Sequence, residues 1–465
     1  MLDTQQTIQP LPSSFRDPSG FVFEKDGIIY RQVNKIFKEH FDLFLSTGCY
    51  DHLINHKWLI PHEEVDNNFS GASDWYKTLR PKKIPFISYP YEWSFDMMKD
   101  AALLTLQIAK EVIPFGMILK DATPYNIQWL DGRPIFIDSI SFEKYDTSKP
   151  WIAYRQFCEC FLSPLLLMYY SAQPLQTLLL AYPEGIPLAV TRSLLPWRSR
   201  FSFHTYLHIH LHERLSAKSA GKRQSPQAEF SQKKLLRLLD SLQSLVASLS
   251  WKDKTTTWAN YYDEAGLRKN YLETKKNIVD QWVENLEVRT AIDLGANEGA
   301  FSFLLSGKTI RTIAADFDHT ALNKLYRRIK KENNENILPV FIDVANPTPS
   351  IGLNNAERKS FLERVNVDLA LALALVHHLA VGKNIPFEKM AEFFDKITNC
   401  LIIEFIPKQD DKVQFMLQQK KDIYHSYNEE NFLAAFQEYF SILEKRLIAE
   451  SNRTLFLMRR IRQSK

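Results

Sequence analysis

The C-terminal part of the chain alternates short apolar runs with amphipathic stretches. Thr290–Leu294, Thr309–Ala315, Leu338–Ile342, Val367–Leu373 and Cys400–Phe405 are apolar runs of strand length. Between them lie stretches at helical spacing: Glu298–Ser306, His319–Glu332 and Pro386–Ile397. In the second, Leu322, Leu325, Tyr326 and Ile329 share one face. Asn428–Gln437 reads as a further helix. Phe440–Arg446 and Thr454–Arg459 read as a closing antiparallel pair. Strands alternating with helices predict an α/β, doubly wound parallel sheet.

The chain before Leu286 has a different rhythm. Phe21–Tyr30 reads as a hairpin turning at Asp26-Gly27, and Ile127–Asp138 as a second one turning at Asp131-Gly132. Phe161–Val190 is the most apolar region, but Pro164, Pro174, Pro183 and Pro187 interrupt it, so it predicts buried helices and loops rather than a membrane span. Ser216–Gln232 is charged and rich in Ser and Gln, as an exposed hinge would be. Leu235–Leu249 is an amphipathic helix, and Trp251–Glu287 is aromatic and helical. The expected domains are therefore an α+β domain over 1–215, a hinge and helical connector or lid over 216–285, and the alternating domain over 286–465. No internal repeat is visible.

Composition narrows the class. A chain of 465 residues exceeds one ordinary core. At 45% hydrophobic and 13% aromatic residues it is globular, not disordered. A net charge of +4 gives no argument for nucleic acid or a membrane surface. The basic end, Arg459-Arg-Ile-Arg462 and Lys465, reads as solvated. Cys49, Cys158, Cys160 and Cys400 form no C-x-x-C pair, Cys158 and Cys160 read as core filler, and a reduced, cytoplasmic setting fits. No signal-peptide pattern opens the sequence. His204, His208, His210 and His212 share no single helical or strand face, so no metal site is expected.

The stretch that carries chemistry is Ala291-Ile-Asp-Leu-Gly-Ala-Asn-Glu-Gly-Ala-Phe301. An apolar run ends in Asp293, and a turn with Gly295, Asn297 and Gly299 opens a helix. A second apolar run ends in Asp316, followed by Phe317. This is the layout of a nucleotide-type site at the carboxyl end of a parallel sheet, with glycines for close approach and an acid for ribose hydroxyls. The spacing D-x-G-x-x-x-G differs from the G-x-G-x-x-G that wraps a pyrophosphate. Ile342-Asp343-Val344 closes the third run. Leu373–Leu379 contains His377 and His378, and Glu404 closes the fifth run. A histidine there would serve as a base near neutral pH. The plainer readings are a packing or capping role for each histidine, a helix cap for Asp343, and a strand-end pair of Glu404 with Lys408.

The pattern resembles the first motif of class I S-adenosylmethionine-dependent methyltransferases over about 180 residues. The resemblance implies a seven-stranded sheet with a reversed last strand. It also implies a cofactor site in which Gly295 and Gly299 lie against the methionine end of S-adenosylmethionine, with Asp293 at the close of the first strand and Asn297 inside that turn, Asp316 holds the ribose with Phe317 beside it, and Asp343, followed by Val344, meets the adenine. His377, His378 and Glu404 become candidate groups beside the transferred methyl.

Upstream, Asp121 is followed five positions later by Asn126, then by the hairpin that ends in Asp138. This resembles the catalytic loop and metal-binding segment of the protein-kinase and aminoglycoside-phosphotransferase fold. It implies that Asp121 orients a hydroxyl, while Asn126 and Asp138 would hold magnesium if the domain were active. Leu119 stands where that family has His, Ser139-Ile-Ser141 follows Asp138, and no glycine-rich phosphate loop or V-A-x-K strand is visible. A non-phosphorylating, kinase-like domain is therefore expected, and loop capping around Pro124 is the plainer reading. The combination of the two halves resembles bacterial nodulation-related methyltransferases. The expected function is methyl transfer from S-adenosylmethionine to a small-molecule or glycan-type acceptor. The alternatives are a bifunctional kinase–methyltransferase and a non-catalytic cofactor sensor. Acceptor, acceptor atom and oligomeric state are not legible.

Overall fold

The computed structural model describes residues 8–214, 231–253, 269–418 and 422–461. The chain divides into two compact units, one of residues 1–252 with 350–359, the other of 253–349 with 360–465.

In the first unit, β1 (Gly20–Lys25), β2 (Ile28–Asn34), β3 (His62–Val65) and β4 (Trp75–Pro81) form an antiparallel sheet in the order β1-β2-β4-β3. The first hairpin turns at Asp26 and Gly27, both at positive φ, the conformation a two-residue turn between twisted strands requires. β5 (Met117–Leu119) pairs with β8 (Phe142–Lys144). β6 (Ile127–Leu130) pairs with β7 (Arg133–Phe136) through the same kind of turn at Asp131 and Gly132. The helix Phe95–Glu111 runs through the core and buries Phe95, Met98, Ala102 and Leu106.

The apolar region after Phe161 is a set of short helices, among them Ser163–Ser171, which is mostly buried, and Leu188–Leu194, which buries Leu188 and Thr191. Among the described residues no helix is long and apolar enough to cross a membrane. Cys49, Cys158 and Cys160 are buried free thiols.

The segment expected as one connector divides between the units. The helix Gln232–Ser248 belongs to the first unit, with Leu235, Leu239, Leu242 and Val246 buried at helical spacing. Lys110 pairs with Asp240 at 2.6 Å, and Lys99 donates to the carbonyls of Ala247 and Leu249 that the helix end leaves unpaired. The helix Lys269–Glu284 belongs to the second unit instead, where Val279, Trp282 and Val283 join the core. The serine- and glutamine-rich hinge lies outside the described residues except for Ser231 and Gln232.

The second unit is one seven-stranded sheet. Its strands are β9 (Thr290–Leu294), β10 (Arg311–Asp316), β11 (Ile337–Phe341), β12 (Val367–Ala372), β13 (Thr398–Phe405), β14 (Phe440–Leu447) and β15 (Thr454–Arg460), in the order β11-β10-β9-β12-β13-β15-β14. The first five are parallel, and β15 runs antiparallel to both β13 and β14. This is the methyltransferase arrangement of the doubly wound sheet. The chain builds outward from β9 to β11, then returns to place β12 on the other side of β9. The loops after β9 and β12 therefore leave the sheet in opposite directions and open a crevice between them. The central strands carry continuous buried apolar runs, Ala291-Ile292, Leu369–Ala372 and Leu401–Ile403, as strands covered on both faces do.

Candidate functional site

The turn after β9 is left-handed at Gly295, Asn297 and Gly299, with φ of 78°, 50° and 81°. Gly295 and Ala296 donate their N–H groups to the Ala315 carbonyl at the end of β10, and Asn297 donates to Asp316 Oδ2 at 2.7 Å. The turn is thus held to β10 by its own backbone.

The two glycines do different things. A Cβ at Gly299 would stand 2.5 Å from Leu325 of the helix His319–Glu332, so that glycine permits close helix packing. A Cβ at Gly295 would meet only Leu375, at 3.8 Å. Leu375 lies on the loop after β12, so the space beside Gly295 is the crevice itself.

Asp316 is buried, and its two oxygens accept from the Asn297 and Asp318 backbone N–H groups. Burial pushes its carboxyl up to about 6, against the lowering effect of those two bonds. Asp318 caps the next helix, with Oδ1 accepting from Thr320 and Ala321. Phe317, between the two acids, leaves its ring 53% exposed.

Asp293 is engaged by a different partner. It is buried on the face that carries Ser302, which donates to its Oδ2 at 2.7 Å. Burial raises its carboxyl to about 6 as well. Asp343 closes a turn of its own by accepting from the Ala345 N–H at 2.9 Å, and Lys383 stands 3.7 Å from its other oxygen. Val344 beside it is half-buried.

The loop after β12 carries His377 and His378 with ring centroids 3.9 Å apart. His377 is almost wholly buried, and its Nδ1 has no partner among the described residues. Burial and the His378 ring hold it well below the usual histidine range. Burial, then Arg453 and Lys412, bring His378 down to about 4.

Glu404 has no exposed surface, and its oxygens already hold four donors or cations. Tyr271 donates to Oε1 at 2.6 Å, and Lys275 and the Ala374 N–H donate to Oε2 at 2.5 and 2.8 Å. Arg453 stands 3.8 Å from Oε1. Burial opposes its charge, but Lys275 and Arg453 prevail and hold the carboxyl below the usual range. Arg453 in turn makes a two-pronged pair with Asp410 at 2.8 and 3.0 Å and donates to the Tyr271 hydroxyl. Ala374 has φ of 54°, a conformation costly for any residue with a Cβ. The carboxylate of Glu404 holds that residue in place and with it the loop that bears Leu375, His377 and His378. Lys408, the partner expected for Glu404, pairs with Asp422 instead.

Sequence reasoning missed Tyr271, Lys275 and Arg453. The available signal was the spacing of Tyr271 and Lys275, one helical turn apart and on one face of the helix before β9.

In the first unit, Asp121, Asn126 and Asp138 come together. Asn126 donates to the Ser141 hydroxyl, which donates to Asp138 Oδ2 at 2.7 Å. Burial first, and Asp138 second, raise the Asp121 carboxyl above its ordinary value. Arg31 of β2, another residue not singled out in the sequence, pairs with Asp138 Oδ1 at 2.6 Å. Both Asp138 oxygens are therefore engaged by the protein. The residues so arranged do not fit magnesium, which would have to displace the guanidinium.

His204 and His208 hydrogen-bond to the Ser241 hydroxyl, and His210 to Ser199. Among the described residues no group of His, Cys, Asp and Glu is placed to hold a metal ion.

No protein-family model matches the chain. It is 33% identical over 460 residues to nodulation protein NoeA of Rhizobium meliloti (strain 1021), covering 96% of this chain and 95% of that protein. The chain belongs to the NoeA family. Among solved structures, this NoeA relative is similar to magnesium protoporphyrin IX methyltransferase of Synechocystis PCC 6803, at 13% identity and a TM-score of 0.31 over 45% of this chain and 90% of that one. It is also similar to the bifunctional kinase-methyltransferase WbdD, at 13% identity and a TM-score of 0.29 over 47% and 45%. The assignment of the NoeA-family sheet rests on its own strand order.

Proposed function

We propose that the second unit transfers a methyl group from S-adenosylmethionine to a small-molecule or glycan-type acceptor. The observation that carries this reading is the open side of Gly295, which faces Leu375 across the point where the sheet reverses its winding. The buried Asp316 next to it suits the two hydroxyls of a ribose, since each of its oxygens keeps an acceptor direction beyond its one backbone bond. The exposed ring of Phe317 suits an adenine face, and Asp343 with Val344 the edge of the base. Asp293 and Asn297 shape the turn.

The sulfonium supplies an electrophilic methyl carbon and a neutral leaving group. The protein has only to hold the acceptor in line and accept its proton where it carries one. His378, neutral and partly exposed, is the residue we assign to the proton, and His377 packs behind it. Glu404 is a positioning residue, because its oxygens are engaged by Tyr271, Lys275, Ala374 and Arg453.

Calorimetric titration with S-adenosylmethionine and S-adenosylhomocysteine tests the reading. Micromolar binding, lost in Asp316→Ala, is the expected result. No heat from the wild-type chain with either ligand would overturn it.

A second reading, phosphoryl transfer by the first unit, draws support from the convergence of Asp121, Asn126 and Asp138. The Arg31–Asp138 pair weighs against it, and no step through magnesium is derived.

A further inference from the structure

Between Glu184 and Glu213 the sequence contains no acidic residue, but it contains Arg192, Arg198 and Arg200. In the first unit this stretch presents an unusual surface. Leu194, Trp197, Phe201 and Phe203 are 54%, 72%, 77% and 72% exposed, all within ten residues. Single exposed apolar side chains are ordinary, but three large aromatics on one short segment are not.

The segment is not loose. Ser199 is fully buried beneath it and hydrogen-bonds to His210 Nε2 at 2.9 Å. Ser199 also closes a backbone bond to Pro196, and Ser202 accepts from Thr205 at the start of the next helix. Trp197 and Phe201 meet edge to face at 5.2 Å. The aromatics are thus held outward on a fixed base, and the ordering cost of exposing them is met by the fold rather than by a partner.

The charges fit one partner. Arg192 is engaged by Glu213. Arg198 donates to the Tyr170 carbonyl through Nη2 and remains exposed, and Arg200 is exposed beside Phe201. Aromatic rings flanked by guanidinium groups, with no carboxylate in the segment, match the boundary of an anionic bilayer. There rings enter between the headgroups while the cations meet phosphate.

We infer that Trp197, Phe201 and Phe203, with Arg198 and Arg200, seat the protein on an anionic lipid surface. The contact is peripheral and uses residues of the first unit.

Co-sedimentation of the full chain with vesicles tests this. Phosphatidylcholine vesicles with and without phosphatidylglycerol are the probes. The wild-type chain is expected to bind the anionic vesicles, and less so as salt screens the attraction. Replacing Trp197, Phe201 and Phe203 together with Ser is expected to lower partitioning about tenfold or more. Arg198→Gln with Arg200→Gln is expected to abolish the preference for the anionic lipid. This second variant keeps the aromatics, so it reads the proposal even if the first does not fold. Absence of binding to either vesicle, or binding unchanged in a folded triple variant, would overturn the inference. So would a wild-type dimer in light scattering that the triple variant makes monomeric, with no response to vesicles.

Discussion

Lys275 donates to Glu404 Oε2 at 2.5 Å, with both groups out of water. The pair joins the helix Lys269–Glu284 to the end of β13, and Glu404 passes the constraint on to Ala374. Removing Lys275 leaves the buried Glu404 carboxylate with only the more distant Arg453 as a cation, and breaking a buried pair costs about 3–5 kcal/mol. Lys275→Met is expected to destabilise the second unit by an amount in that range, measured by chemical denaturation of the full chain. Glu404 has a lowered carboxyl pKa, so its contribution is present above the unfolded value and is lost as the pH falls through the folded one. The cost of the substitution should therefore shrink in acid. An equal loss at all pH values would mean that packing of the lysine stem, not its charge, matters.

Asp293 shows the opposite sign. Its carboxyl rises from 3.8 to about 6 on burial, so the folded chain binds the extra proton between those values. Its contribution to stability falls as the pH rises through that window, and the whole penalty is present above it. A two-unit rise corresponds to about 3 kcal/mol at most. Asp293→Asn keeps an acceptor for Ser302 and removes the charge. Thermal melts are expected to show a stabilised variant at pH 7.5 and no difference near pH 4.

Asp316 has the same raised carboxyl, but ribose hydroxyls would donate to its charged form. Affinity for S-adenosylhomocysteine, measured by calorimetry, is expected to weaken as the pH falls below about 6. In Asp316→Asn affinity should be at least about tenfold lower and flat across that range, since a hydrogen bond to a charged group contributes about 1.5–3 kcal/mol. A wild-type affinity independent of pH from 5 to 8 (about three units) would remove Asp316 from the ligand's contacts.

The two glycines of the turn should separate binding from folding. Gly299→Ala drives a Cβ against Leu325 at positive φ, and a stability loss of about 1–3 kcal/mol is expected. Gly295→Ala meets only the backbone penalty, about 1 kcal/mol, but fills the space beside the turn. Its melting temperature should fall less than that of Gly299→Ala, and its affinity for the cofactor more. Equal effects on both properties would deny the glycines distinct roles.

Arg31→Ala should expose the cation requirement of the first unit. The guanidinium pairs with Asp138 at 2.6 Å in a mostly buried setting, so a loss of about 2–4 kcal/mol is expected. Magnesium at constant ionic strength is expected to restore part of it in the variant and to leave the wild-type melting temperature unchanged. Wild-type stabilisation by magnesium that Asp138→Asn abolishes would assign the metal site to the native arrangement.

The doubly wound sheet was legible because its signals are local. Apolar runs of strand length, amphipathic helices between them, and a turn punctuated by Gly295 and Gly299 occupy consecutive residues. Their alternation leaves one economical topology. The turns at Asp26-Gly27 and Asp131-Gly132 were legible for the same reason, since two residues at positive φ select those residue types.

What only the tertiary structure decided is which side chains meet across long separations. Glu404 reads in the sequence as an acid at a strand end, free to face a substrate. In the fold it is enclosed by Tyr271, Lys275 and Arg453, contributed by a helix before the sheet and by the turn before its last strand. Asp138 reads as a metal ligand, yet a strand more than a hundred residues earlier delivers Arg31 to it. The helix Gln232–Ser248 carries an apolar face in the sequence, but that face does not say which unit it covers. Hydrophobic periodicity is written residue by residue along the chain. The satisfaction of a buried charge depends on partners that the chain brings together only on folding.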